Sequence, residues 1–328
     1  GSSPVVTEDS RYMICAINTF FIVTSTARIK KKKNADMPKD SMAIIALGQP
    51  GFLKFPAVKS FKTPAKGSGV LAFLQEKANA DTAGSTLMIR HLLSGTQDTI
   101  ENVKEYVFSK PGNHLLAEIA AVKKEPHSRS GVLLWHAAGR KTDTLSRDGS
   151  DYRQFAFDEK GEQAAYFGTA DSSKALQQFY KLYYFKPGQD SAIEAADKNS
   201  SGIPSNWAIS ANSLLSFSKD GTRLFFGTAP VLPVKDTTIV DFEVAKVDIW
   251  NYKDDYLQPM QLKNADKELK RSYAAVYYPG SKRVVQLGDK DLETVITTAE
   301  GNSPYALGYT DKGERIPMQW EGRRTKTA

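Results

Sequence analysis

Few residues in this chain could carry covalent chemistry. A hydrolase-type serine needs Gly-x-Ser-x-Gly, because it must sit on a strained strand-to-helix turn between small neighbours. No such pentapeptide occurs, and the nearest approach, Gly67-Ser68-Gly69, runs into the strand-like Val70-Leu71-Ala72-Phe73 instead of a helix. A phosphate-binding loop and a dinucleotide fingerprint are also absent. The one cysteine, Cys15, lies between Ile14 and Ala16 in an expected strand and reads as a small buried apolar residue. The four histidines are far apart in sequence. His91 and His136 hold matching places in two repeats, His114 opens a strand where Gln163 and Arg223 open others, and His127 sits in a Pro-Ser-Arg loop. All four read as scaffold or solvated residues, so no metal or cofactor is implied. Carboxylates pair at Asp254-Asp255 and gather at Asp289, Asp291 and Glu293. A glycosidase would need such acids to converge; here they read as surface charge. Trp207 and Trp320 lie in polar, loop-like surroundings and are the candidate ligand contacts, whereas Trp135, Trp250, Tyr183 and Tyr184 are expected in the core.

The 328 residues carry a net charge of +7, with 41% hydrophobic and 25% charged residues. The sharpest basic feature, Lys30-Lys31-Lys32-Lys33, sits between two strand-like segments and reads as a solvated hairpin tip. Elsewhere Lys and Arg are mixed with Asp and Glu, without the aromatic-interleaved basic stripe of a nucleic-acid binder. No apolar run approaches the roughly 20 residues of a membrane helix. Ile14–Thr26 comes nearest, but Asn18, Thr19, Thr24 and Ser25 interrupt it. Gly1-Ser2-Ser3 reads as a tag scar, so a missing signal peptide says nothing about compartment.

The elements that must position these residues are written as a repeat. Phe217-Ser218-Lys219-Asp220-Gly221 is a turn followed by Leu224-Phe225-Phe226, a strand. Phe157–Gly161 and Phe108–Gly112 have the same shape, and Thr7–Ser10 and Phe61–Gly67 are looser copies. Ahead of Gly112 and Gly161 the same outline recurs: a strand ending in His, a turn, then Asp-Thr before an aliphatic residue. Further strands are expected at Phe20–Val23, Val247–Tyr252 and Leu257–Leu262, with short helical turns only at Lys174–Tyr180 and Ser191–Lys198. A period of about 40–50 residues with about four strands each predicts an all-β fold, a β-propeller of about six to seven four-stranded blades of TolB-like or WD-like type. Residues 4–328 are then one propeller domain, incomplete or truncated at the C-terminus, with insertions near 190–212 and 229–243. Those insertions are where contacts are expected, because loops carry function on such scaffolds.

Val247–Asp254, with Leu257-Gln258 and Gln261, taken together with Phe217–Phe226 and Tyr106–Gly112, resembles the N-terminal half of prolyl-oligopeptidase-family serine peptidases of Bacteroidetes type. The resemblance covers roughly residues 5–310. It implies a propeller that gates and binds peptide substrates for a C-terminal α/β-hydrolase domain absent from this chain. It also implies a periplasmic or secreted location and no catalytic residue here. The glutamate pair that holds the substrate amino terminus in the family's dipeptidyl peptidases has no counterpart, since Glu194 and Glu243 are isolated. Two other readings stay open: a free-standing propeller that binds a protein or peptide on one face, and a glycan-active propeller enzyme.

Overall fold

A computed structural model describes residues 4–33, 36–67, 69–76, 84–122, 129–234, 236–240, 243, 247 and 249–322. Gly1–Ser3, Ser68, His127, Asp248, residues 323–328 and parts of the expected 229–243 insertion lie outside them.

One turn, used four times among the described residues, organises the chain. It starts at Thr7, Ser109, Asp158 and Ser218. In each copy the first amide bonds the carbonyl five residues on, at 2.9–3.1 Å, and the fourth amide returns to the first carbonyl, at 2.8–3.1 Å. The first side-chain oxygen also accepts from the amide five residues on: Tyr12 to Thr7 at 3.1 Å, His114 to Ser109 at 3.0 Å, Gln163 to Asp158 at 2.9 Å and Arg223 to Ser218 at 3.0 Å. That is why these four polar residues can be buried, at 4%, 0%, 5% and 1% exposure. The fourth position is left-handed in every copy: Ser10, Gly112, Gly161 and Gly221 have φ of 56°, 79°, 72° and 72°.

The chain splits into two compact units. The first, Gly1–Ala164 with Phe185–Ala192, begins with β1 (Val5–Val6), β2 (Tyr12–Ile17), helix α1 (Phe21–Ile29), β3 (Ser41–Ala46) and β4 (Leu53–Phe55). These strands form an antiparallel sheet in sequence order. Then come β5 (Val58–Lys62), β6 (Val70–Gln75), β7 (Ser85–His91), β8 (Gln97–Phe108), β9 (His114–Ile119), β10 (Gly131–His136) and β11 (Lys141–Arg147), again in sequence order. This seven-stranded sheet is two four-stranded meanders sharing β8. Residues Gln97–Ile100 pair with β7 and Glu105–Phe108 with β9, with register shifts between and Asn102 at φ 60°. β12 (Asp151–Phe157) is the last strand wholly inside this unit.

β6 shows why the central strands read as unbroken apolar runs. Val70, Ala72 and Leu74 pack into one core cluster with Leu87, Ile89 and Trp135, while Leu71 and Phe73 pack into another with Ile14, Met42 and Ile44. Both faces of the pleat are covered, so the alternation of side chains fills two cores.

The second unit is Ala165–Tyr184 with Ile193–Ala328. β13 (Ala164–Thr169), β14 (Lys181–Phe185) and β15 (Ile193–Ala196) follow one another in a sheet. β16 (Trp207–Ile209), β17 (Ser216–Phe217), β18 (Leu224–Pro230), helix α2 (Gln258–Leu269), β19 (Tyr273–Tyr278) and β20 (Arg283–Gln286) come next. They build the order β16-β18-β19-β20, with β17 also on β18. A hairpin of β21 (Thr294–Thr297) and β22 (Ala306–Tyr309) and helix α3 (Arg315–Glu321) complete the described residues. The fold class is all-β, built of antiparallel meanders of the blade type.

The structure corrects several local expectations. Residues 21–23 belong to α1 and not to a strand: β2 is paired by β1 on one side and by β3 on the other, and the segment between β2 and β3 crosses as a helix. The lysine run therefore ends a helix instead of tipping a hairpin. Leu257–Leu262 opens α2, where Pro259 suits the first helical turn and Lys, Glu and Leu are good helix formers. The described residues of Val247–Tyr252 form no strand, and Trp250 is 66% exposed, not core. Lys174–Tyr180 contains no helix, and Ser191–Lys198 contains β15. Cys15 is free and half-buried.

Gly112 illustrates what the turns demand. A Cβ there would lie 2.5 Å from Cγ of Pro64, on top of a left-handed φ of +79°. Gly112→Ala is expected to cost about 2–4 kcal/mol, backbone strain plus overpacking. Gly51→Ala, at φ +91° with nothing within 4 Å, carries the strain alone and costs about 1–2 kcal/mol. Urea unfolding of both variants checks the ranking, and an equal loss for the two would refute it.

Candidate functional site

The strand-end histidines recur because two hairpins are built alike. In the β7–β8 hairpin Asp98 pairs across from Ile89, two residues before His91. In the β10–β11 hairpin Asp143 pairs across from Leu134, two residues before His136. Each hairpin thus sets a histidine diagonally opposite an aspartate.

The surroundings of the two pairs differ. Asp98 is sealed: it accepts Nε1–H of Trp135 at 3.1 Å and Nε–H of Arg140 at 2.7 Å, with Nε2 of His91 3.6 Å away. Burial pushes its carboxyl up, but the bonds from Arg140 and Trp135 outweigh that and hold it below the ordinary value. The second pair is open. His136 Nε2 lies 2.9 Å from Oδ2 of Asp143, and both line a cavity of about 300 Å³ inside the first unit. Its walls include His114, Glu162, Phe157 and Phe185.

His114 enters through the turn repeat. Its Nδ1 lies 2.6 Å from the carbonyl of Gly161, as Arg223 Nη1 bonds the carbonyl of Gly301 at 2.9 Å from the matching position. A carbonyl only accepts, so Nδ1 carries the proton and Nε2 keeps its lone pair. The ring meets His136 edge-on, with centroids 4.8 Å apart. Desolvation lowers the His114 pKa, and His136 pushes it the same way, against the opposing pull of the Gly161 carbonyl, Asp158 and Glu162. His114 is therefore neutral at pH 7.

The lining consequently offers acceptors and negative charge. The carboxylate of Glu162 has no hydrogen bond or ion pair among the described residues, and neither Lys nor Arg lines the cavity. Ser, Thr and Cys are also missing from its walls, so the His136–Asp143 pair has no hydroxyl or thiol to activate. Among the described residues no group of three or more His, Cys, Asp or Glu is placed to hold a metal ion. The arrangement sets acceptors and carboxylates beside the apolar walls of Phe157 and Phe185.

A depressed His114 pKa has a stability consequence. The native state binds fewer protons there than the unfolded chain, whose value is near 6.5. The stabilisation is full above that pH and is lost as pH falls through it towards the lower folded value. The urea midpoint is expected to drop between pH 7.5 and pH 5, and less steeply in His114→Gln. A His114→Gln profile parallel to that of the unmodified chain would contradict the assignment.

The residues singled out by sequence lie elsewhere. Trp207 opens β16, half-buried, with its ring centroid 5.0 Å from that of Tyr273. Trp320 is 76% exposed on α3. Neither lines this cavity or the larger one of about 660 Å³ in the second unit, which Lys267, Lys270, Arg271 and Glu293 border. Asp255 and Glu293 end on the buried Arg315, at 3.4 and 2.6 Å, with Asp311 at 2.6 Å, a structural charge network. His114, His136, Asp143 and Glu162 were not anticipated as a site. The available signal was the His-x6-Asp spacing, present twice at His91–Asp98 and His136–Asp143.

The chain is an all-β protein built of antiparallel meanders of the blade type. No protein-family model matches it, and no curated protein matches it by sequence. It is similar to the β-propeller domain of the trilobed protease from Pyrococcus furiosus, at 10% identity over 90% of this chain and 73% of that one, TM-score 0.45. It is also similar to TolB from Acinetobacter baumannii, at 12% identity over 82% of this chain and 54% of that one, TM-score 0.36. The tricorn protease matches at 11% identity over 84% of this chain, TM-score 0.41, and the chain spans 27% of its length. None of these supports a Bacteroidetes source.

Proposed function

We propose that this chain is a non-catalytic recognition module that binds peptides through a primary ammonium group, held in the cavity between His136 and Glu162. One observation carries the reading: the lining presents Asp143, Glu162 and a neutral His114 beside Phe157 and Phe185, with no Lys, Arg, Ser, Thr or Cys. A volume of about 300 Å³ is at the small end of ligand pockets, the size for one side chain or chain end. Aromatic faces and carboxylates together suit an ammonium on an aliphatic stem. The ammonium comes from a lysine side chain or from a free amino terminus.

The wider setting follows the family resemblance in the sequence: a module serving an α/β-hydrolase domain encoded elsewhere on the native chain, exported to the periplasm or beyond. Reading the native frame for a Gly-x-Ser-x-Gly checks the first part, and fractionation of the full-length product the second.

The binding test uses matched peptides in calorimetric titration. A lysine peptide is expected to bind about tenfold more tightly than its norleucine counterpart. Acetylating the amino terminus separates the two ammonium sources. Equal affinity for lysine and norleucine peptides, together with indifference to acetylation, would sink the proposal. Labelling of this chain by a fluorophosphonate would show a reactive serine and sink its non-catalytic part.

A further inference from the structure

Helix α1 turns its apolar side to water. Its one buried residue is Ala27. Phe20 at its N-cap is 82% exposed, and Phe21, Ile22 and Ile29 are 82%, 77% and 81% exposed. At about 100° per residue, Ile22 and Ile29 lie nearly opposite Ala27, so the outward edge of the helix is its apolar edge. An ordinary surface helix has the reverse arrangement.

The basic run is folded onto the end of that helix. The Lys30 amide bonds the carbonyl of Thr26 at 3.0 Å, Lys31 that of Arg28 at 2.9 Å, and Lys32 that of Ala27 at 3.1 Å. Arg28 and Lys30–Lys33 are all exposed. No Asp or Glu occurs from Ser10 to Ala35. Favourable interaction with the helix C-terminus accounts for one or two cations in the last turn. It does not account for five, nor for large apolar side chains exposed beside them.

We propose that α1 with Lys30–Lys33 docks on the surface of an anionic lipid bilayer. Phe20, Phe21 and Ile22 would enter the boundary between headgroups and acyl chains, and the lysines would lie against the headgroup phosphates. The juxtaposition selects this occupant: an apolar helix edge lying in the interface and a polybasic segment beside it are the two signals that reversible attachment to anionic lipid requires. The inference is independent of the peptide reading, since none of these residues lines the cavity of the first unit.

The test is flotation of the chain with phosphatidylcholine vesicles, with and without phosphatidylglycerol, at low and high salt. Binding is expected to the phosphatidylglycerol vesicles alone and to weaken as salt rises. Replacing Lys30–Lys33 with Gln, or Phe21 and Ile22 with Ser, is expected to lower partitioning by about tenfold or more. Far-UV circular dichroism should be unchanged, because these side chains are exposed. No binding to anionic vesicles at low salt overturns the proposal. So does equal binding to both vesicle types, or variants that partition like the unmodified chain. Self-association through this face without vesicle binding would assign it to a second copy instead.

Discussion

Replacing Trp135 with alanine is expected to destabilise the first unit by about 3–5 kcal/mol, the largest effect of any single side-chain truncation proposed for this chain. Trp135 is 1% exposed and packs among Leu87, Ile89, Ile100 and Leu115. Its removal leaves a cavity that flanking strands, fixed by ladder bonds on both sides, can fill only in part. It also withdraws the indole N–H from Asp98, which then relies on Arg140. Trp135→Phe keeps most of the volume and loses the hydrogen bond, so it is expected to cost about 1–2 kcal/mol. Urea unfolding followed by far-UV circular dichroism separates the two. An alanine variant within about 1 kcal/mol of the unmodified chain would mean that the core is not organised around this residue.

The second prediction concerns the site. Asp143→Asn and Glu162→Gln are each expected to weaken binding of the lysine peptide by about three- to tenfold, and the pair together by about thirtyfold. The single effects are modest because Asp143 is 60% exposed and Glu162 is exposed, so solvent screens both charges. For the same reason folding should be untouched. Added salt should weaken binding to the unmodified chain more than to the double variant. A double variant that binds as tightly as the unmodified chain would place the peptide elsewhere.

Much of the fold was legible because its punctuation is chemical. A Ser, Thr or Asp that caps an amide five residues on, with a left-handed residue third after it, leaves a mark at Thr7, Ser109, Asp158 and Ser218 that needs no knowledge of tertiary contacts. The two helices misread as strands had no such mark. In Phe21–Ile29 five of nine residues, Ile22, Val23, Thr24, Thr26 and Ile29, are β-branched, which favours a strand by propensity. The place beside β2 is taken by β3 and not by this segment, a fact about the sheet that the segment's own propensity does not carry.

The site was half legible. The matching places of His91 and His136 in two repeats, each seven residues before an Asp, are visible in the sequence, and both histidines lie beside those aspartates in the structure. Sequence could not show that the next copy would lack its cover. Asp98 is closed over by Trp135 and Arg140, whereas the cavity beside Asp143 is walled by Phe157, Phe185 and Glu162 and has neither. Trp207 and Trp320 have polar neighbours in sequence, but the position of Trp207 is set by β16 and its contact with Tyr273.

The most direct measurement is proton NMR of the histidine ring resonances during titration with the lysine peptide, since the chain has four histidines and the spectrum is sparse. Assignment by His114→Gln and His136→Gln identifies the two in the cavity. Saturable shifts of His114 and His136, with His91 unmoved behind Trp135, are the predicted result. Peptide binding that leaves both resonances in place would contradict recognition at this site.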